Sequence, residues 1–154
     1  MNESRFSLRR ATPADAEAAA RIIAAALAEH DLPFEPDGRD ADVATFGNKD
    51  EVRDLVAEIE GAVIGVVSVG SHGDQGIAWV SKLFVMKSAR GLGIGRALLG
   101  AAHDAAREAG FHTVGLRTRR IFTEALGLYA AEGYQPREDP RVIEAGDVVM
   151  YRAL

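Results

Sequence analysis

Read for the spacing of its apolar positions, the chain divides into nine periodic segments. Residues 5–10 (RFSLRR) read as a short first strand. Residues 11–30 (ATPADAEAAARIIAAALAEH) carry a helical period. Ala19, Ile22, Ile23, Ala26 and Leu27 share one face, while Glu17 and Arg21 can pair outside it. Thr12 is placed as the N-cap, Pro13 at the first helical position and Asp15 near the positive helix end. Leu55, Ala57 and Ile59 alternate with Val56, Glu58 and Glu60, and Gly61 then turns the chain. That predicts a hairpin onto residues 63–69, which are apolar on both faces as a central strand should be.

Residues 77–86 (IAWVSKLFVM) form another strand buried on both sides. A helix then runs to about Ala109, with Ile94, Ala97, Leu98, Ala101 and Ala105 on its buried face and Gly110 just past its end. TVGLRT from Thr113 is a strand, TEALGLYAAEG is a helix stopped by Gly133, and VVMYRAL is the last strand. The predicted order is β, α, β, β, β, α, β, α, β. It implies an α/β fold, a mixed central β-sheet of about six or seven strands with helices on both faces. Residues 31–50 have no period and hold Asp31, Glu35, Asp37, Asp40, Asp42 and Asp50. They read as a solvated connector, the alternative being a substrate lid whose acids attract a cation.

Composition narrows the class. The 154 residues suit one domain spanning 1–154, and a hydrophobic content of 47% supports a real core. The absence of cysteine excludes disulfides, thiol nucleophiles and thiolate metal sites. MNESRFSLRRA lacks an apolar leader core, and the apolar run at 62–70 is too short to span a bilayer. A cytoplasmic protein with no membrane partner is expected. The net charge of −5 argues against a broad nucleic-acid surface, so an anionic ligand has to be met by local positive potential.

The segment SARGLGIGRALLGAA, from Ser88, supplies such potential. Gly91, Gly93 and Gly95 sit where a strand feeds a helix, beside Lys87, Arg90 and Arg96. A helix start exposes unpaired N–H groups with partial positive charge, and glycine lets an anion reach them. The expected anion is a pyrophosphate; the plainer alternative is a tight turn with glycines for packing. No Walker Gly-Lys-Ser/Thr follows, and a GxGxxG fingerprint fails because its third glycine would fall on Arg96 or Leu98.

At these residues the chain resembles the GCN5-related N-acetyltransferase (GNAT) superfamily. The family pattern of Arg or Gln, two residues, Gly, one residue, Gly or Ala falls on Arg90, Gly93 and Gly95. KLFV ends the preceding strand as it does in the family. Ala125, Leu128, Tyr129, Gly133 and Tyr134 match the late A-x-x-L-Y-x-x-x-G-[FY] segment.

The resemblance implies acetyl-CoA as co-substrate. Its pyrophosphate would lie on the amides of Arg90, Gly91, Leu92, Gly93, Ile94, Gly95 and Arg96. Its pantetheine arm would run beside Leu83, Phe84 and Val85, in a gap left by splayed strands, with an N–H near Val85 polarising the thioester carbonyl. It further implies an N-acetyltransferase acting on a primary amine of a small molecule or peptide by direct attack, with Tyr129 as general acid. Spacing alone leaves Tyr129 equally readable as a packing residue. A homodimer is common in such relatives, though no residue here requires one.

Two departures keep a non-catalytic acyl-CoA-binding or sensing module open. Phe122 replaces the family's frequent Asn, and Trp79 replaces a frequent Glu. Glu58, Glu60 and His72 are the remaining candidates for a base acting through water. Arg117, Arg119 and Arg120 read as a solvated basic turn, the alternatives being contact with cofactor phosphates or a substrate carboxylate. His30, His72, His103 and His112 have no metal-ligand spacing and read as surface or cap residues, so no metal is expected. The acceptor would be shaped by the loop after the first helix and by residues 138–146, which carry no motif.

Overall fold

A computed structural model describes residues 5–48, 53–73, 76–138 and 146–154. Ten elements follow in order: β1 (Ser7–Arg10), α1 (Ala16–Ala28), β2 (Arg53–Ile59), β3 (Ala62–Gly70), β4 (Ile77–Val85), α2 (Ile94–Glu108), β5 (Thr113–Arg119), α3 (Thr123–Ala131), β6 (Gln135–Pro136) and β7 (Asp147–Ala153). The seven strands make one sheet in the order β1-β2-β3-β4-β5-β7-β6. Neighbours are antiparallel except β4 and β5, which α2 connects in parallel. The expected mixed sheet with flanking helices is present. β6 is the added strand; two residues are too short to show a period.

Local chemistry sets the element ends. Glu60 (φ 51°) and Gly61 (φ 82°) are both left-handed between β2 and β3. That pair of conformations makes a two-residue hairpin loop whose twist suits the flanking strands. α1 begins later than expected, after a 3-10 turn at Pro13–Asp15. Thr12 is the N-cap of that turn, Pro13 is its first residue, and Thr12 and Asp15 form a capping box. The buried Asp15 carboxylate accepts the Thr12 amide at 2.8 Å and the Arg9 guanidinium at 2.8 and 2.9 Å. Arg9 holds the Asp15 carboxyl below the usual carboxylate range.

The sheet is buried on both faces, and alternation sorts its side chains. Leu55, Ala57, Val67 and Val69 pack with Leu98, Leu99 and Ala102 of α2. Val56 and Val66 face the other way, onto Ile22, Ile23 and Leu27 of α1. The buried face of α1 is the one its period predicts. In α2 the face is turned slightly, so Leu99, Ala102, His103 and Ala106 are buried while Ala97 and Ala101 are half-buried.

Two expectations change. Residues 31–48 are largely exposed but are anchored rather than a mere connector. Val43 and the fully buried Phe46 enter the α1 core. Gly47 lies so close to Thr12 that a Cβ would sit 2.1 Å from its carbonyl oxygen. The Gly47 amide donates to buried Asp54 at 2.8 Å, and Ser68 Oγ donates to the same carboxylate at 2.6 Å. Asp50 lies outside the described residues.

His103 is also no surface residue. It is buried, and its Nε2 is 2.7 Å from the Tyr134 hydroxyl. Burial, with the charges of Arg152 and Arg107, pushes its pKa down to about 4. The unfolded chain therefore binds one more proton between about pH 6.5 and 4. The stability from neutral His103 is complete above that window and is lost as pH falls through it, by at most about 1.4 kcal/mol per pH unit. His103→Gln should flatten the dependence of Tm on pH between 6.5 and 4, measured by thermal melts against wild type.

Candidate active site

The site begins where β4 and β5 part. Their parallel pairing covers Ile77↔Thr113 through Val80↔Leu116 and then stops, although both strands continue. A β-bulge accompanies the break: Lys82 and Leu83 together lie opposite Val67 of β3. Lys82 is left-handed, with φ 57°. For a side chain with a Cβ that conformation costs roughly 1–2 kcal/mol. Its ammonium is nearly buried and pairs with Asp42 at 2.5 Å.

Past the break, β4 offers backbone groups that β5 does not use. The Met86 amide donates to Ile64 of β3 at 2.8 Å. Strand alternation turns the N–H and C=O of Val85 the opposite way, into the gap. The Val85 carbonyl accepts Nε of Arg90 at 3.1 Å. The rest of that guanidinium forms a fork on Glu29, at the end of α1, at 2.6 and 2.8 Å. This pair holds the Glu29 carboxyl below its usual range.

The glycine segment closes one end of the gap. Gly91 (φ 83°) and Gly93 (φ 81°) are left-handed, as only glycine readily allows. A Cβ on either would meet no protein atom within 4 Å, so the space before the loop is open. The amide of Ala97 is the first of α2 to donate within the helix, to Gly93 at 3.0 Å. The amides of Gly93, Ile94, Gly95 and Arg96 precede it and have no intrahelical acceptor. The Arg90 amide donates instead to Lys87 at 3.3 Å. The geometry suits a diphosphate: open amides, no side chains in front and a positive helix end.

A cleft of about 600 Å³ joins these parts. Leu83, Phe84, Val85, Arg90, Gly91, Gly93, Ile94, Gly95, Arg96 and Tyr129 all line it. Leu92 does not; its side chain is exposed at the rim of the loop. Tyr129 is buried at its ring, and burial pushes its pKa up to about 12. Among the described residues no side chain or carbonyl takes its hydroxyl. Phe122 meets Phe84 and His30 edge-on, with ring centres 6.0 and 5.0 Å apart.

Some expectations move. Arg117 and Arg119 belong to β5 and line the cleft rather than a solvated turn. Trp79 meets Tyr151 edge-on in a separate apolar cluster, away from the cleft lining. Glu58 is taken by Arg9 at 2.9 Å, and Glu58, Glu60 and His72 are all absent from the cleft wall. Glu29 and Arg39 line the cleft without having stood out in the sequence, and His30, expected at the surface or a cap, lines it too, because only the packing of α1 and its loop on the sheet brings them there. Asp40 and Asp42 also line it. Asp40 accepts the Glu35 amide at 2.8 Å, while Asp42 holds Lys82. Residues 139–145, expected to help shape the acceptor site, lie outside the described residues.

Comparison with known proteins gives this arrangement a context. The model of the acetyltransferase (GNAT) family matches residues 21–134. The uncharacterized N-acetyltransferase YjgM of Escherichia coli K12 is 31% identical over 141 residues, covering 83% of this chain and 81% of that protein. The IAA acetyltransferase of Azospirillum brasilense is 35% identical over 89 residues, a segment spanning 58% of each chain. Among solved structures, yncA of Salmonella typhimurium with its cofactor acetyl-CoA has a TM-score of 0.72 at 24% identity, covering 97% of this chain and 94% of that one.

Gly95 tests the cradle without disturbing the fold. Its backbone is ordinary helix, and an added Cβ would meet only Leu128 at 3.5 Å and Val85 at 4.0 Å. Gly95→Val should keep a normal melting profile and weaken coenzyme A binding at least about tenfold, the cost of losing roughly 1.4 kcal/mol, read by calorimetry.

Proposed function

The chain belongs to the acetyltransferase (GNAT) family and is an acyltransferase, and from that premise we propose that it moves the acetyl group of acetyl-CoA directly to a primary amine of a small molecule or peptide within a ternary complex. The observation that carries the reading is the single cleft uniting the β4–β5 gap, the open amides of α2 and Tyr129. Family members acetylate amines, so a non-catalytic acyl-CoA sensor is not favoured.

Each part of the cleft takes a share of the reaction. The amides of residues 91–96 hold the diphosphate, while the Arg96 guanidinium beside them is paired with Glu132 at 3.1 Å. Arg90 acts mainly through its grip on Val85 and Glu29. The edge of Leu83, Phe84 and Val85 pairs with the amide-bearing arm as an added strand would. Acetyl-CoA supplies the activated acetyl group. The Val85 N–H meets the thioester oxygen, where a fixed donor is typically worth ~3–4 kcal/mol as charge develops.

The amine nitrogen bonds to the acetyl carbon as the carbon–sulfur bond breaks. The amine gives up a proton to solvent water, the departing sulfur takes one from Tyr129, and solvent returns a proton to the phenolate. The buried phenol suits that role, because its raised pKa keeps it protonated throughout neutral and moderately basic solution. The acetyl-CoA-bound structure of yncA supports the choice of cofactor by likeness of fold.

Tyr129→Phe should lower kcat by roughly 10²–10⁴-fold, the usual share of a positioned acid, with coenzyme A affinity nearly unchanged. Thiol-release kinetics and calorimetry read the two quantities. An equal loss of binding and rate would make Tyr129 a packing residue. With Tyr129 as the acid, wild-type kcat should show no Tyr129-dependent fall between pH 8 and 10, since its deprotonation waits until about pH 12.

A further inference from the structure

One end of the cleft is lined by arginines. Past Leu116, β5 carries Arg117 and Arg119 along the cleft wall, on the side where residues 39–43 cover it. A second cavity of about 320 Å³ adjoins, lined by Arg39, Arg119, Arg120 and Asp147 among others. Arg39 and Arg119 line both cavities, so these two residues stand between the two spaces.

Three carboxylates on the walls of these spaces are already engaged. Asp147 stands opposite Arg119 in the β5–β7 register, yet its carboxylate goes to Arg39 at 3.2 Å. Asp42 is held by Lys82, and Glu29 by Arg90. Among the described residues no carboxylate pairs with Arg119. A half-buried arginine between two cavities, with no carboxylate partner among the described residues, matches a carboxylate in shape as well as charge.

We infer that the acceptor is a small amine bearing a carboxylate, with Arg119 at the junction of the two cavities as the residue that selects it. This rests on the acetyltransferase reading above. The amine end lies toward Val85 and Tyr129, and the carboxylate end lies at Arg119. Arg119 is thus a specificity residue and takes no part in moving protons.

The test is a thiol-release screen of amino acids of several chain lengths, each beside its carboxamide, with acetyl-CoA. The acids should be turned over with kcat/KM at least tenfold above their amides. Arg119→Gln should raise KM for the preferred acid at least tenfold, leave its amide unaffected and leave KM for acetyl-CoA within about twofold. Arg119→Lys should recover part of the loss, showing that charge rather than folding is at stake. Amides used as well as acids, or an Arg119→Gln effect equal on both, would overturn the inference while leaving the transferase intact. Tight coenzyme A binding with no thiol release on any amine would overturn the transferase reading, and this inference with it.

Discussion

Everything at the site follows from two parallel strands that stop bonding before they end. A backbone amide inside a protein needs a partner, and a strand that leaves its neighbour must find others. In this sheet β4 and β5 separate after Val80 and Leu116. The bulge at Lys82 re-aims β4 while its pairing with β3 continues to Val85. One side of the strand stays paired with β3 and the other faces the gap. Arg90 takes up the Val85 carbonyl, leaving the amide of the same residue directed into the gap.

The strain in that bend is balanced by the covering loop. Lys82 adopts a left-handed backbone, and its ammonium is drawn to Asp42 in the 3-10 turn at Ala41–Thr45. The turn is fixed in its place by Val43 and Phe46, which pack on α1. Burying a side chain such as Phe46 contributes roughly 1.5–3 kcal/mol, comparable with the backbone cost at Lys82. The exposed ion pair between Glu17 and Arg21 contributes far less. Loop, bulge and gap therefore form one mechanical unit.

What was legible in the sequence was what repeats or punctuates locally. The apolar face of α1 is read from its period, and the hairpin at Glu60 and Gly61 from a turn glycine. The amide cradle is read from three glycines at a strand–helix junction. Other features depend on partners far along the chain. Phe46 looks like one aromatic in an acidic loop until α1 is folded beside it. His103 looks like a polar residue on a helix until Tyr134 caps its ring nitrogen. Arg117 and Arg119 look like a basic run because their strand is short and their cleft is made by the departure of β4. Tyr129 is named by motif, while the burial that keeps it protonated is a tertiary property.

The margins of the sheet have a consequence of their own. An outer strand with vacant backbone donors invites other chains to add to it, a route to fibrils. Here one margin is β1, four residues long with arginines at positions 9 and 10. The other is β6, two residues long, one of them a proline that has no amide hydrogen to offer. The protein thus leaves a strand edge open in its interior while both of its outer borders discourage aggregation.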